Sequence, residues 1–241
     1  SDVYKRQVSD LHGKHLRLDQ NSLPGGDLII CAGDATPSGR SKEVKKFLAW
    51  FNSLSMYKHK VLVAGNHDSY FEMRGRLNAL DASFGDLLAL YPDIVYLQDE
   101  AWTIPGTQVV LYGSPWTLAY NNLYFQAHRE AIHQYWDKIP NNTDILITHQ
   151  PPYGLLDTPD GHAHLGCPRL REAVERLAHK SLVHVFGHCH GGWGSVDIQN
   201  EDTTTTYINT SICKEYSIDG LNEPITFTYD EVSKRLLEFI F

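Results

Sequence analysis

Short apolar runs that stop abruptly at Asp, Asn or His recur along this chain, with amphipathic stretches between them. Leu28–Ala32 ends at Gly33-Asp34, and Val61–Ala64 at Gly65-Asn66-His67-Asp68. Ile145–Ile147 ends at Thr148-His149, and the run VHVF at Gly187-His188-Cys189-His190. Continuous apolar runs of this length predict strands buried on both faces, as in a parallel sheet. After the third run Pro151-Pro152 can continue neither strand nor helix. Val3–Val8, leading to Ser9-Asp10-Leu11-His12-Gly13, predicts a first strand, although Lys5, Arg6 and Gln7 make it unusually polar for a central position.

Between these runs the periodicity changes to that of helices. Over Ser41–Met56 the residues Val44, Phe47, Leu48, Phe51 and Leu54 share a face, Lys42, Lys45 and Lys46 point outward, and Ser41 is the expected N-cap. Further helices are predicted over Asp81–Tyr91, ended by Pro92, over Leu123–Lys138, and from Pro168 to Ala178. Short strands are expected at Ile94–Leu97, Ala101–Ile104 and Val109–Tyr112, around the Pro105-Gly106 turn. The tail is strand-rich (SVDIQ, TTTYINTSI, PITFTY), and the irregular stretch Tyr153–Cys167 is long enough for a lid. The alternation predicts a layered α/β fold, two sheets with outer helices, as a single domain over residues 1–241.

Composition narrows the class. A chain of 241 residues with 42% hydrophobic content can bury a full core. No apolar run approaches the ~20 residues of a membrane span, so no membrane partner is expected. A net charge of −8 argues against a broad nucleic-acid-binding face. The opening SDVYKRQ lacks a signal-peptide pattern, and the four scattered cysteines form no C-x-x-C pair. Both predict a reducing cytoplasm, where the sequons at Asn141 and Asn209 carry no meaning.

Five strand ends that each deliver Asp, Asn or His lie along one edge of an α/β sheet. Such residues suit two divalent cations, and a carboxylate can bridge both. Two ions roughly 3.5–4 Å apart polarise a phosphoryl oxygen and hold a hydroxide for in-line attack. The site needs about seven ligands, and the chain supplies Asp10, His12, Asp34, Asn66, His149, His188 and His190.

The ordered series D-x-H, G-D, G-N-H-D, T-H and G-H-x-H resembles the calcineurin-like metallophosphoesterase superfamily. TDILITHQPPYGLLD, HVFGHCHGGWG, TTTYINTSIC and GSPW resemble its MPPED branch, from about Val8 to about Tyr229. The resemblance implies a four-layer α/β/β/α sandwich with a dimetal site at the sheet edges. One ion would take Asp10, His12, Asp34 and His190, the other Asp34, Asn66, His149 and His188, with Asp34 as bridge and catalytic ligand. The metals would be Mn, Fe, Zn or Mg, with Mn favoured. His67 would be the catalytic residue that, with Asn66, meets the substrate phosphate and protonates the leaving oxygen, a role suited to imidazole. Asp68 would stand behind the ligands. The branch points to a metal-dependent phosphoesterase acting on phosphodiesters, with cyclic nucleotides or small aryl and alkyl diesters as candidates. The residues themselves do not choose between mono- and diester.

Two departures sharpen this. GDATPSG replaces the Asp-Arg-Gly run of protein phosphatases in the superfamily, which lowers that reading. His188 stands where some members of the branch carry Gly. The alternative function is a non-catalytic scaffold binding a protein or nucleotide, disfavoured because the ligand set is complete. A nuclease is disfavoured by the charge. Bland readings attach to the rest: His162 and His164 in a loop, His128 and His133 off a shared helix face, Cys189 as packing, and Trp116, Tyr153 and Trp193 as core or rim aromatics or stacking surfaces. Oligomeric state is left open.

Overall fold

In the computed structural model, residues 2–18, 22–80, 86–159, 163–177, 181–200, 203–214 and 220–240 are described. Strands β1 (Asp2–Val8), β2 (Gly26–Ala32), β3 (Tyr57–Val63) and β4 (Ile94–Tyr96) run parallel in one sheet. The hairpin β13 (Ile225–Asp230) and β14 (Arg235–Ile240) extends it antiparallel, giving the order β14-β13-β1-β2-β3-β4. The second sheet holds β6 (Val110–Ser114), β9 (Ile145–Thr148), β10 (Leu182–Phe186) and β12 (Thr203–Asn209) in parallel. Antiparallel edges β5 (Glu100–Thr103) and β11 (Gly194–Asn200) complete the order β11-β12-β10-β9-β6-β5.

The sheets face each other across a core of alternate residues, including Leu28, Ile30, Val61, Val63, Ile145, Ile147, Val183 and Val185. The other alternates face outward. Ile29, Cys31 and Leu62 meet helix α1 (Ser41–Ser53) and the first residues of α2 (Ser69–Leu80). Leu146, Leu182 and Phe186 meet α3 (His133–Trp136) and α4 (Pro168–Leu177). Helix, sheet, sheet and helix make four layers, the α/β/β/α sandwich expected. Each strand is apolar on both faces because each has a layer on either side.

Several expected elements are corrected. The helix read over Leu123–Lys138 is reduced to the four residues of α3, preceded by the small parallel pair β7 (Thr117–Leu118) and β8 (Gln126–Ala127). Tertiary partners take the backbone groups a helix would use: Tyr124 N donates to Asn66 O at 3.1 Å and Phe125 N to Glu72 Oε2 at 3.0 Å. Helix α2 was not read from the sequence: Tyr70, Met73, Leu77 and Leu80 fall at helical spacing, but Phe71 and Ala79 lie off that spacing and Gly75 interrupts the run. Of the helix expected over Asp81–Tyr91, residues 81–85 lie outside the described residues and Leu88–Leu90 is a single 3-10 turn. Helix α1 begins at Ser41, so the N-cap is Arg40, whose N–H reaches the Glu43 carboxylate at 3.2 Å.

The stretch expected as a lid is tied down over its described part. Tyr153 N donates to Cys167 O, and Cys167 N to Pro151 O. Buried Asp157 accepts the N–H groups of Gly154 and Gly166 and binds the His164 ring at 2.7 Å. This is a compact loop packed on its own side chains; His162 lies outside the described residues.

Candidate metal centre

The parallel strands of both sheets present their C-terminal ends along one edge of the sandwich, where the crevice of an α/β sheet gathers ligands. Asp10 and His12 follow β1, Asp34 follows β2, and Asn66 and His67 follow β3. From the other sheet His149 follows β9, and His188 and His190 follow β10. Asp10, His12, Asp34 and His188 adopt positive φ of 50°, 42°, 50° and 70°. Asp and His enter this region more readily than most side chains, yet four such residues in one cluster are a concentration of backbone strain, held by the packing around them.

The side chains converge in groups whose donor atoms lie within 4.8 Å of one another: Asp10, His12 and His190; Asp34, His149 and His188; and His12, Asp34 and His67. His190 Nε2 is 3.4 Å from Asp10 Oδ1, and His12 Nε2 is 3.8 Å from Asp34 Oδ2. His149 Nε2 is 3.3 Å from Asp34 Oδ2 and 3.0 Å from Asn66 Oδ1. Asp34 thus touches both halves of the cluster. His67 Nε2 stands 4.0 Å from Asp34 Oδ2 with 36% of its side chain exposed, while Asp10 and His149 are fully buried.

This close approach depends on glycine at two positions. A Cβ at Gly65 would collide with Asp34 Oδ1 and His149 Nε2. One at Gly33, which also has φ of +103°, would strike the His149 ring.

The hydrogen bonds around these groups occupy one oxygen of Asp10 and leave the other. Asp10 Oδ2 accepts Ser9 Oγ at 2.6 Å, Ser211 Oγ at 2.9 Å and His188 N at 2.8 Å. Its other oxygen, Oδ1, is buried without a hydrogen-bond partner and faces the histidines. A buried, ionised oxygen with no donor costs several kcal/mol in isolation, so it marks where a cation fits. His12 Nε2 and His190 Nε2 sit 3.2 Å apart, two ring nitrogens facing the same space. His149 Nδ1 lies 3.0 Å from Ala32 O, and a carbonyl can only accept, so Nδ1 carries a proton. Nε2 is then the nitrogen that could hold a metal. The donor set, imidazoles with carboxylates and one amide oxygen, suits borderline divalent ions.

Charge follows the same geometry. Burial works against ionisation of Asp10 and Asp34, but His190 beside Asp10 and His149 beside Asp34 hold both carboxyls below the usual range. Burial would lower His149, yet the Asp34 charge outweighs it and raises the imidazole to about 9. Burial, helped by His149, pushes His188 down to about 4. The protein without ions therefore keeps a proton on His149 as a stand-in cation.

Behind this cluster, Asp68 accepts Ala35 N, Thr36 N, the Thr36 hydroxyl and Gly65 N, at 2.6–3.2 Å. It ties the loop after β2 to the loop after β3. Burial, with the Asp34 charge, raises its carboxyl to about 6. His67 Nδ1 meets Pro37 O at 2.9 Å in that first loop. The Pro37 carbonyl, Ser9 and Ser211 were not legible as part of the site, although Asn209-Thr-Ser211 directly follows an apolar strand end.

The remaining candidates fall elsewhere. Trp116 stacks on Tyr135 with centroids 3.8 Å apart and donates to Asp99. Trp193 Nε1 donates to Glu223 O, and Cys189 is buried and in no disulfide. His128 and His133 are exposed. Tyr153 is half-exposed beside His164 on the compact loop. Asn209 is fully buried, so its sequon is no surface acceptor. No helix among the described residues is long and apolar enough to cross a membrane.

A family model described as calcineurin-like phosphoesterase matches residues 6–192. Metallophosphoesterase domain-containing protein 1 of Homo sapiens is 37% identical over 234 residues, covering 90% of this chain and 68% of its own. UPF0046 protein K07C11.7 of Caenorhabditis elegans is 34% identical over 213 residues, covering 86% of this chain and 69% of its own. One solved crystal structure overlays with a TM-score of 0.68 at 14% identity, covering 100% of this chain and 99% of its own. At that identity the overlay speaks for the fold alone.

Proposed function

Since this chain belongs to the calcineurin-like phosphoesterase family, we propose that it is a metal-dependent phosphoesterase whose substrates are small phosphodiesters. Cyclic nucleotides and aryl or alkyl diesters are the candidate substrates, and two divalent ions, Mn²⁺ foremost, are the cofactors. The observation that carries this reading is the convergence of Asp10 Oδ1, His12, His190, Asp34 and His149 on shared space, with one buried carboxylate oxygen left without a donor. When bound, the ions would supply Lewis acidity and bring the pKa of a water near neutrality.

The residues of the chain do the remaining work. Asp10, His12, Asp34 and His190 would hold one ion, and Asp34, Asn66, His149 and His188 the other. Asp34, reaching both halves, would contribute to both ions. His67 stands on the solvent side, where substrate arrives. Its Nδ1 faces the Pro37 carbonyl, which can only accept, so Nδ1 keeps its proton and Nε2 is the atom presented toward Asp34. A proton held at Nε2 is placed to pass to the departing alkoxide oxygen. The four cysteines are buried and form no disulfide among the described residues, which suits a reducing compartment, and we assign the protein to the cytoplasm on that ground.

The test is hydrolysis of an aryl phosphodiester such as bis-(p-nitrophenyl) phosphate with added Mn²⁺. Turnover that disappears with a chelator and returns with Mn²⁺ is expected. Pure, metal-loaded protein that turns over neither this diester nor a cyclic nucleotide would sink the proposal.

A further inference from the structure

The run Asn209–Cys213 begins at the last residue of β12, a strand of the second sheet, yet it does not stay there. Ser211 forms a parallel bridge with Ser9 at the end of β1, in the first sheet. Ser9 N donates to Thr210 O at 3.0 Å, Ile212 N to Ser9 O at 2.9 Å, and Cys213 N to Asp10 O at 3.3 Å. On the other side Thr210 N donates to Phe186 O, the last residue of β10, at 2.8 Å. The segment is a strap between the sheets at the edge where the two halves of the ligand set meet.

Two buried side chains of the strap reach further. Asn209 Nδ2 donates to Cys189 O at 2.8 Å, between His188 and His190, and to Leu156 O at 2.9 Å in the compact loop. Asn209 Oδ1 accepts Ser211 N at 3.1 Å and lies 2.8 Å from Ser211 Oγ. That hydroxyl is also 2.9 Å from Asp10 Oδ2. It has one proton to give, and an ionised carboxylate is the stronger acceptor. Ser211, Ser9 and the His188 N–H together occupy Asp10 Oδ2, and Oδ1 is left bare.

We infer that Ser211, held in place by Asn209, is a positioning residue for the ion on the Asp10–His12–His190 side. It decides which oxygen of Asp10 is turned to the cation and keeps that oxygen in register with the turn carrying His188 and His190. The inference rests on the metal-dependent reading above. A group behind a ligand that orients it typically changes metal affinity 10–100-fold when removed. Among the described residues the Ser211 hydroxyl meets Asp10 and Asn209 and not Asp34, Asn66 or His149, so the effect falls on one ion of the two.

The experiment titrates Mn²⁺ into metal-free protein and follows both calorimetry and the electron paramagnetic resonance spectrum. In Ser211→Ala one of the two affinities falls at least about tenfold, the other stays within about twofold, and the coupled two-ion spectrum gives way to that of a single ion. Thr210→Val is the control, because the Thr210 hydroxyl faces Phe186 O at 3.2 Å on the same strap; it retains both affinities. Equal losses in the two variants, or unchanged affinities in Ser211→Ala, overturn the inference while leaving the metal-dependent reading intact. Wild-type protein that takes up no Mn²⁺ overturns both.

Discussion

Strand β1 carries two sets of buried polar residues, and they differ in what surrounds them. At its C-terminal end Asp10 is fully buried, with three donors on one oxygen and histidines facing the other. Midway along, Lys5 and Gln7 are equally buried beside the core residues Leu28 and Ile30. Lys5 Nζ has no hydrogen-bond partner and lies over the Tyr229 ring at 4.9 Å, and neither end of the Gln7 amide is bonded. Burial pushes the Lys5 ammonium down to about 8. Both sets look like violations of the rule that buried polar groups are paired. Around Asp10 the ligand atoms of several residues converge on common space, which a cation can fill. Around Lys5 and Gln7 no set of ligand atoms converges among the described residues; the Tyr229 ring and the Glu231 and Asp27 charges offset part of the cost of burying the ammonium, and the fold bears the rest.

Removing groups from the converging set should have the largest effects. Asp34→Ala should lose both ions and all measurable turnover, because Asp34 is shared between the two halves. His67→Ala should keep the ions while turnover falls roughly 10²–10⁴-fold, the range for a lost general acid. Metal analysis beside diesterase rates checks both. Variants that kept both ions and full rate would overturn the assigned roles.

A smaller effect should follow from the proton on His149. Its folded-state value, about 9, lies above the ordinary imidazole value of 6.5. In metal-free protein its contribution to stability is therefore complete below about 6.5 and lost as pH rises through about 9. A cation must displace that proton, so affinity on the Asp34–His149 side should rise roughly tenfold per pH unit between 6 and 8 and level off above about 9. Calorimetry in buffers of different ionisation enthalpy should show about one proton released with that ion. No proton release would mean that His149 is already neutral.

The smallest effect belongs to the set that does not converge. Gln7→Val should stabilise the protein by about 1–3 kcal/mol, by removing a buried amide without hydrogen bonds, and Lys5→Val by less, because the contact with the Tyr229 ring goes with the ammonium. A rise in the urea midpoint at unchanged slope checks this, and metal affinity should not move. If either change destabilised the protein, these side chains would have partners that the comparison denies them.

Much of the fold was readable along the chain. Strands covered by a layer on each face have to be apolar throughout, so LIICA, VLVA, ILI and VHVF stood out, and α1 and α4 carry regular stripes. The stretch around Leu123–Lys138 misled because half-buried residues imitate a helical period while Asn66 O and Glu72 claim its backbone donors.

At the site, local sequence determined which residues stand at strand ends, since a buried run terminates where polar side chains and glycine begin. Order along the chain also matched a known family pattern. What only the tertiary structure decided is how those ends face one another. It set which oxygen of Asp10 is bare, which nitrogen of His149 looks inward, that a proline carbonyl holds His67, and that a strap from the second sheet reaches Asp10 in the first. These depend on hydrogen bonds between segments as much as 201 positions apart, and such pairings leave no periodic trace in the order of residues.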